Sequence, residues 1–180
     1  MGPTENVGAG DKLATNLSMG AQTSDGSPAP RFSHDVVCVG ADGVEKWRET
    51  VHNLVTTAGK NDIVDTYFKG AAYTAAWYMG LKGTGTIAAG DTMASHAGWS
   101  EVNPYTGNRK AITFGTTAAG SNTATTVSFA VTGSATVAGA FISSTNTGAT
   151  GVLYSAADFT AARSVVSGDT LNVTPTVSVS

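Results

Sequence analysis

Residues 90–101 hold the side chains of this sequence that come closest to a reactive set. These side chains are Asp91, Ser95, His96 and Glu101. A hydrolase needs a nucleophile beside an oriented base, and a metal site needs several ligands, so both kinds of site have to be considered. Triad members usually come from separate elements, however, and no Gly-x-Ser-x-Gly motif surrounds Ser95. The pattern favours a structural loop, in which Asp91 and Ser95 bond to nearby backbone N–H groups and Trp99 anchors the following strand.

The other residues with reactive side chains are isolated from one another. His34, His52 and His96 lack the i, i+4 spacing of a helical metal motif. Cys38 is the single cysteine, which excludes an intrachain disulfide, and its alternation within the predicted strand indicates a buried core thiol. The Gly83-Thr-Gly85 segment lacks the Lys-Ser/Thr ending of a phosphate loop. The sequence therefore predicts no catalytic residue, no metal site and no cofactor.

The composition is poor in charge and rich in small side chains. Charged residues make up 13% of the chain, against about 25% in a typical globular protein. Small uncharged side chains suit a surface that meets another protein, and they suit a Thr-rich β-sandwich equally well. The net charge of −3 attracts neither nucleic acid nor anionic lipid strongly. With no secretion signal and no long apolar run, we expect a soluble, unsecreted protein without nucleic-acid or membrane partners.

Residues 1–34 are predicted to form an N-terminal arm, flexible alone or docked along a neighbouring molecule. Residues 20–30 combine Gly, Ser and Pro with almost no large apolar side chain, so they cannot bury enough surface to offset their ordering entropy. An arm of this length could span up to ~100 Å if fully extended. A tail without a role is the alternative. The isolated apolar side chains that could anchor the arm are Val7, Leu13, Leu17, Met19 and Phe32.

From residue 35 to residue 180 the pattern predicts one mainly β domain. The Asp42-Gly43 dipeptide lies between residues 35–39, which are mostly β-branched, and residues 44–51. This arrangement indicates a β-hairpin, because such a dipeptide adopts the turn that joins two antiparallel strands. A short helix is the alternative for residues 44–51, whose apolar side chains are spaced by three and four.

A short surface helix is predicted near residues 60–69. Four apolar side chains recur there at helical spacing, and we expect this stripe to pack on a sheet. Gly70 follows at the position where a left-handed cap is needed. The stripe consists of Ile63, Val64, Tyr67 and Phe68.

The remaining residues predict a series of strands joined by turns that are rich in Gly, Ser and Asn. Residues 75–81 are almost wholly apolar and predict a strand buried on both faces. Pro175 removes a backbone donor from the last strand, which we therefore expect at a sheet edge. The fold class is an antiparallel β-sandwich or jelly roll. The other predicted strands are residues 112–114, 127–131, 137–142, 151–154 and 171–179.

Several motifs follow one another in a distinctive order. They are Trp47, Val51-His-Asn-Leu-Val55, Gly59-Lys-Asn-Asp62, Ala75-Ala-Trp-Tyr-Met-Gly-Leu81, Asp91-Thr-Met-Ala-Ser-His-Ala-Gly-Trp-Ser-Glu101, Gly139-Ala-Phe-Ile142, Gly151-Val-Leu-Tyr154 and Gly168-Asp-Thr-Leu171. In this order they resemble a family of small tailed-bacteriophage virion structural proteins, whose members are described as head decoration, cement or tail-fibre-like proteins. The resemblance covers residues 35–180. It implies a non-catalytic component of the phage particle, made in the cytoplasm of the host bacterium.

Of the positions on the particle that the resemblance implies, we favour a cement or decoration protein on the outer capsid surface. A tail fibre usually needs elongated repeats or a coiled-coil shaft, and the sequence has neither. The expected partners are the major capsid protein, whose capsomers it would bridge, and further copies of itself, as a dimer rather than a trimer. A tail-associated module that recognises the host is the alternative. Pairing through the arm and an exposed last strand makes Leu13, Leu17, Phe32, Leu171, Val173, Val177 and Val179 the candidate interaction residues.

Overall fold

Two antiparallel β-sheets and one short helix form the architecture, which confirms the predicted fold class. The computed structural model describes residues 30–73 and 75–179. The helix is α1 (Thr57–Ile63), which a π-helical turn (Val64–Phe68) continues. The strands are β1 (Pro30–Val39), β2 (Glu45–His52), β3 (Leu54–Val55), β4 (Tyr78–Gly85), β5 (Trp99–Val102), β6 (Lys110–Ala111), β7 (Ser121–Thr123), β8 (Val127–Ala130), β9 (Ala135–Ser143), β10 (Leu153–Val165) and β11 (Thr170–Val179).

The first sheet begins with the predicted hairpin. Strands β1 and β2 pair antiparallel around the turn, in which Gly43 has a φ of 78° and the Asp42 carboxylate accepts a hydrogen bond from Val44 N at 3.0 Å. The helix considered as an alternative for residues 44–51 does not form. Strand β1 starts at Pro30, earlier than the predicted boundary, because Phe32 and His34 continue the inward alternation of the strand.

The last strand, β11, lies inside the first sheet, so the prediction of an edge strand is wrong. It pairs with β1 along one side and with β7 and β8 along the other. The carbonyl of Pro175 accepts a hydrogen bond from Ala124 N at 2.9 Å. Since the N and O of a strand residue point to the same side, the missing donor of Pro175 faces the interruption between β7 and β8. The ladder therefore continues around the proline.

Short polar side chains on the outer face of the first sheet bond to one another across strands. The hydroxyl groups of Thr123 and Thr176 lie 2.9 Å apart, and those of Thr126 and Thr174 lie 2.8 Å apart. Ser128 Oγ donates to Asn172 Oδ1 at 2.6 Å. This face is therefore polar and uncharged at these positions, and its hydroxyl groups are paired within the molecule.

The second sheet has the order β3-β10-β9-β4-β5, and β6 also pairs with β4. The predicted central strand, β9, is buried along most of its length. Gly139 permits its close approach to β10, because a Cβ atom there would lie 2.1 Å from Ala157 O. The buried strand predicted for residues 75–81 is shifted: β4 begins at Tyr78 and continues to Gly85.

The inner faces of the two sheets enclose one hydrophobic core. Residues from both sheets contribute to it, including Val36 and Phe129 from the first sheet and Leu81 from the second. Cys38 is fully buried in this core, as predicted, and burial raises the pKa of its thiol. The structure thus places this cysteine among the packing residues.

Arg109 is a buried cation that connects its own loop to strand β5 and to the loop between β9 and β10. Its guanidinium group donates to both carboxylate oxygens of Glu101, at 3.0 and 2.7 Å. It also donates to the carbonyl oxygens of Thr145 and Gly148, at 3.0 and 2.9 Å. The group lies 5.2 Å from the centre of the Phe141 ring. A charge-assisted network of this kind stabilises loop ends that have few apolar contacts of their own.

Candidate docking groove

The polar groups of residues 90–101 are used for structure. Asp91 Oδ2 accepts hydrogen bonds from Ala88 N at 2.9 Å and from Trp99 Nε1 at 2.8 Å. His96 stacks on the Trp99 ring at 4.1 Å, and its Nδ1 lies 3.0 Å from Trp99 O. These contacts confirm the structural loop for Asp91 and Trp99. Glu101 takes no part in these contacts, because its carboxylate binds Arg109 instead.

Ser95 does not have the role predicted for it. Its own backbone N–H donates to the side chain of Thr92 at 3.0 Å, so Thr92 supplies the local side-chain acceptor. Over residues 30–73 and 75–179, no group of three or more His, Cys, Asp or Glu side chains could hold a metal ion. Within the same ranges, no helix is long and apolar enough to cross a membrane.

A shallow cavity of about 420 Å³ lies beside the β1–β2 hairpin. Two of its three charged lining residues form an ion pair, since Lys46 Nζ lies 2.7 Å from Asp169 Oδ2. Asp169 also accepts a hydrogen bond from Val166 N at 3.0 Å. We attribute this cavity to the ordinary shape of the loop surface.

A larger groove of about 710 Å³ opens at the end of the sheets where β1 begins. Its walls come from distant parts of the chain and are almost wholly apolar. The first sheet contributes the start of β1 and the end of β11, the second sheet contributes Ile142 and Tyr154, and the helical segment covers one side. We call this feature the aromatic groove. Its principal aromatic residues are Phe32, Tyr67, Phe68, Tyr73, Trp77 and Tyr154.

The rim of the aromatic groove is exposed. Tyr67 is 80% exposed, Phe68 is 74% exposed and Tyr73 is 51% exposed. The helical stripe therefore does not pack as predicted: Ile63 contacts the core, whereas Tyr67 and Phe68 project outward. The reason is the π-helical turn, in which Lys69 N donates to Val64 O, five residues earlier, at 3.2 Å. A wider turn breaks the four-residue spacing, and such turns are frequent at functional sites.

The floor of the groove is held by contacts among its own aromatic residues. The rings of Trp77 and Tyr154 meet edge to face with their centres 4.0 Å apart. Trp77 Nε1 donates to the Tyr73 hydroxyl at 2.9 Å. The Tyr154 hydroxyl donates to the Asp62 carboxylate, and burial, followed by this bond, raises the pKa of the phenol. The polar atoms satisfy one another, so the ring faces that remain open are apolar.

Thr56 fixes the helical wall to strand β10. Its hydroxyl accepts a hydrogen bond from Gly59 N at 3.0 Å, which caps α1, and it also donates to Leu153 O. Thr56 N donates to Tyr154 O at 3.0 Å. Gly59 lies so close to β10 that a Cβ atom would come within 2.5 Å of Tyr154 O. The helix is therefore attached at its first turn and carries the exposed rim at its end.

We expect Thr56→Ala to lower the free energy of unfolding by about 1–2 kcal/mol, because a buried helix cap is removed. The variant Thr56→Ser keeps the hydroxyl group and should lose less than about 1 kcal/mol. Urea unfolding followed by circular dichroism measures both values. Equal losses in the two variants would show that the methyl group of Thr56, and not its hydroxyl, stabilises the helix.

The predicted interaction residues fall into three groups. Leu13 and Leu17 lie outside the described residues. Leu171 and Val173 are fully buried in the core, so their side chains present no surface to a partner. Phe32, Val177 and Val179 line the aromatic groove; Phe32 is buried there, Val177 is partly buried and Val179 is exposed.

The sequence reasoning missed the residues that form most of the groove. Tyr67, Phe68, Tyr73 and Trp77 come from one stretch of the chain. The density of aromatic residues in that stretch was the signal that could have indicated an aromatic surface. Their separation from Val177 by about a hundred residues explains why the groove itself is not visible in the sequence.

The fold and the groove define a class: a two-sheet β protein with an open, aromatic recess at one end of its sheets. Comparison with known proteins gives no further assignment. No family model matches the chain, and no match was found among curated proteins. The particular function is therefore proposed from the groove, the composition and the resemblance of the motifs.

Proposed function

We propose that this protein is a non-catalytic structural component of a tailed-phage particle, a cement or decoration protein on the outer capsid surface. It bridges capsomers of the major capsid protein and associates with further copies of itself, as a dimer rather than a trimer. The aromatic groove is the observation that carries the proposal. The motif resemblance supplies the kind of particle, and the low charge of the chain fits a protein that is packed into an assembly.

An exposed groove of this kind calls for a polypeptide to cover it. Soluble monomers rarely expose contiguous apolar patches larger than a few hundred Å², and one aromatic side chain alone can bury about 150–250 Å². On the helical side of the rim, the exposed charges of Lys69 and Asp65 are paired, since Lys69 Nζ lies 2.7 Å from Asp65 Oδ1. Covering this part of the rim therefore requires little removal of water from unpaired charge.

The route of association differs from the one that the sequence suggested. Strand β11 has partners on both sides, so it offers no open backbone edge to a neighbouring chain. Its end contributes to assembly through the groove instead, where Val179 is exposed beside Pro30. We place the contact with neighbouring chains at this end of the molecule.

A tail-associated module that recognises the host is the second candidate, and the clustered aromatic rim is the observation that favours it. Exposed aromatic rings can stack on sugars as well as on protein. However, the rings of Tyr67 and Phe68 meet edge to face at 79°, with centres 5.0 Å apart. They form a ridge beside a cleft instead of a flat platform, which suits an inserted polypeptide better than a sugar ring.

Immunogold labelling of phage particles from a host strain that carries the gene tests the proposal. We expect gold particles distributed over the head, because a cement protein is repeated on the capsid lattice. Labelling confined to the tail would overturn the capsid position in favour of the second candidate. Intact particles without label would exclude a role in the particle altogether.

The same particles can test the groove. The double variant Tyr67→Asp/Phe68→Asp places charge on the rim, and we expect its occupancy on heads to fall at least tenfold relative to the wild type. Val44→Asp is the matched control, since Val44 is also an exposed apolar residue, at 61%, but belongs to the hairpin at the other end of β1. Equal loss in both variants would remove the groove from the attachment mechanism.

A further inference from the structure

The aromatic groove lies where the N-terminal part of the chain joins the domain. Pro30, the first described residue, is itself part of the groove wall. The 29 residues that precede it are therefore tethered at the rim of an apolar cleft. Whatever else these residues do, their covalent attachment keeps them beside this surface at high concentration.

The composition of the tethered residues matches the cleft. Leu13 and Leu17 are large apolar side chains, and the stretch from residue 13 to residue 19, Leu-Ala-Thr-Asn-Leu-Ser-Met, carries no charge. The groove lining is apolar and aromatic and includes no charged side chain among the residues that the structure describes. An uncharged segment with Leu side chains four residues apart can enter such a cleft without burying an unpaired ion.

The length of the tether allows this segment to return to the groove. Leu17 lies 13 residues before Pro30, so the connection can reach roughly 40 Å when extended. Residues 20–29 are rich in Gly, Ser and Pro, which are the residue types that permit chain reversal. Closing a loop of this length costs little entropy, and a short tether gives an effective concentration in the millimolar range.

A second copy that met the groove face to face would cover it less well than an inserted chain segment. The groove is concave, and two concave surfaces facing each other would leave their floors uncovered. The ring faces of Trp77 and Tyr154 form part of that floor, and only an inserted side chain reaches them. The shape of the cleft therefore favours a chain segment over a face-to-face dimer.

We infer that in the free protein the aromatic groove is occupied by residues 13–19 of the same molecule, with Leu13 and Leu17 inserted between the helical segment and the ends of β1 and β11. The inference goes beyond the proposed function and does not depend on it. It holds whether or not the protein belongs to a phage head, and it is tested on the purified protein alone.

Disulfide crosslinking tests the inference directly. Two full-length variants, Leu17→Cys/Phe68→Cys and Leu17→Cys/Tyr73→Cys, place thiols on the segment and on two parts of the rim. Oxidised glutathione accepts the electrons: two thiols form one disulfide and release two molecules of reduced glutathione. At low micromolar protein we expect an internal disulfide in at least one variant, seen as a monomer whose mass falls by two hydrogen atoms. Cys38 is fully buried and should not compete.

The matched control is Leu17→Cys/Val44→Cys. Val44 is as accessible as the rim, but strand β1, at about 3.3 Å per residue, separates it from the groove. We expect its internal crosslink to form at least tenfold more slowly. Equal rates in control and rim variants would overturn the inference. So would disulfide-linked dimers in place of internal crosslinks, which would assign the groove to a second copy.

A second measurement covers the case in which the thiols do not meet. Deleting residues 1–29 removes the segment and leaves the described domain intact, because β1 begins at Pro30. We expect the fluorescence of 1-anilinonaphthalene-8-sulfonate, which reports open apolar surface, to rise several-fold in the truncated protein. Unchanged dye binding would show that the groove is equally open in both forms and would overturn the inference.

Discussion

Replacing Arg109 by Met should lower the free energy of unfolding by about 3–5 kcal/mol, the cost of removing one member of a buried ion pair. The guanidinium group binds Glu101 through two hydrogen bonds and also binds the carbonyl oxygens of Thr145 and Gly148. Methionine fills similar space above the Phe141 ring but donates no hydrogen bond. The carboxylate and the two carbonyl oxygens then lose the hydrogen bonds that Arg109 donates, although Thr145 O keeps its bond from Ser143 Oγ, and this loss dominates the effect.

Arg48→Met is the matched control for this prediction. Arg48 forms an ion pair with Glu45, but its side chain is 69% exposed, and surface pairs contribute little to stability. Urea unfolding at neutral pH compares the two variants with the wild type. If both variants lose equally little stability, the Arg109 network contributes no more than a surface pair does.

The second large effect is on the pH dependence of stability, which we expect to come from His34. This side chain is fully buried in β1, and burial lowers its pKa from 6.5 to about 4, although a backbone bond at Ser33 and the Asp35 carboxylate act in the opposite direction. Its Nε2 lies 2.7 Å from Asn53 Nδ2, which also donates to Ser155 Oγ. The folded protein therefore holds this histidine neutral.

The sign follows from proton linkage. Because the folded pKa lies below the unfolded one, the unfolded state binds more protons between pH 6.5 and 4. Stability from this group is complete above pH 6.5 and falls as the pH is lowered, by about 2 kcal/mol at pH 5 relative to pH 7.5. Urea unfolding at the two pH values measures the difference.

Two histidine variants assign this pH dependence. His34→Gln should remove most of the difference in unfolding free energy between pH 7.5 and pH 5, since glutamine does not titrate. His52→Gln, at an exposed position of the neighbouring strand, should leave it unchanged. Should the His34 variant prove too unstable, the NMR titration of the His34 ring in the wild type replaces it. A ring that is protonated at pH 6 in the folded protein would contradict the prediction.

Features that depend on local chemistry could be predicted from the sequence. The Asp42-Gly43 turn, the burial of Cys38 and the hydrogen bond from a nearby backbone N–H group to the Asp91 carboxylate were all predicted, and the structure confirms them. Each depends on residues within about ten positions of one another. Alternation and turn type are sufficient for such features because the chain itself keeps the interacting groups close.

Features that depend on distant partners could not be predicted from residue spacing. Pro175 indicated an edge strand, but β7 and β8 cover β11 in two pieces and leave a gap at the proline. The helical stripe indicated packing, but a π-helical turn redirects Tyr67 and Phe68. The gap has no signature in residue spacing, because it arises from how remote segments meet, and the four-residue spacing of the stripe gave no sign of the wider turn.

The paired hydroxyl groups on the outer face of the first sheet have a consequence for how copies can associate. Side chains such as Thr123 with Thr176, and Ser128 with Asn172, already satisfy each other, so that face gains little by meeting a neighbour. Among the residues that the structure describes, the most exposed aromatic side chains lie instead at the rim of the aromatic groove. Flat stacking of one copy on another through the threonine-rich face is therefore disfavoured, and the groove decides how a neighbouring chain is oriented.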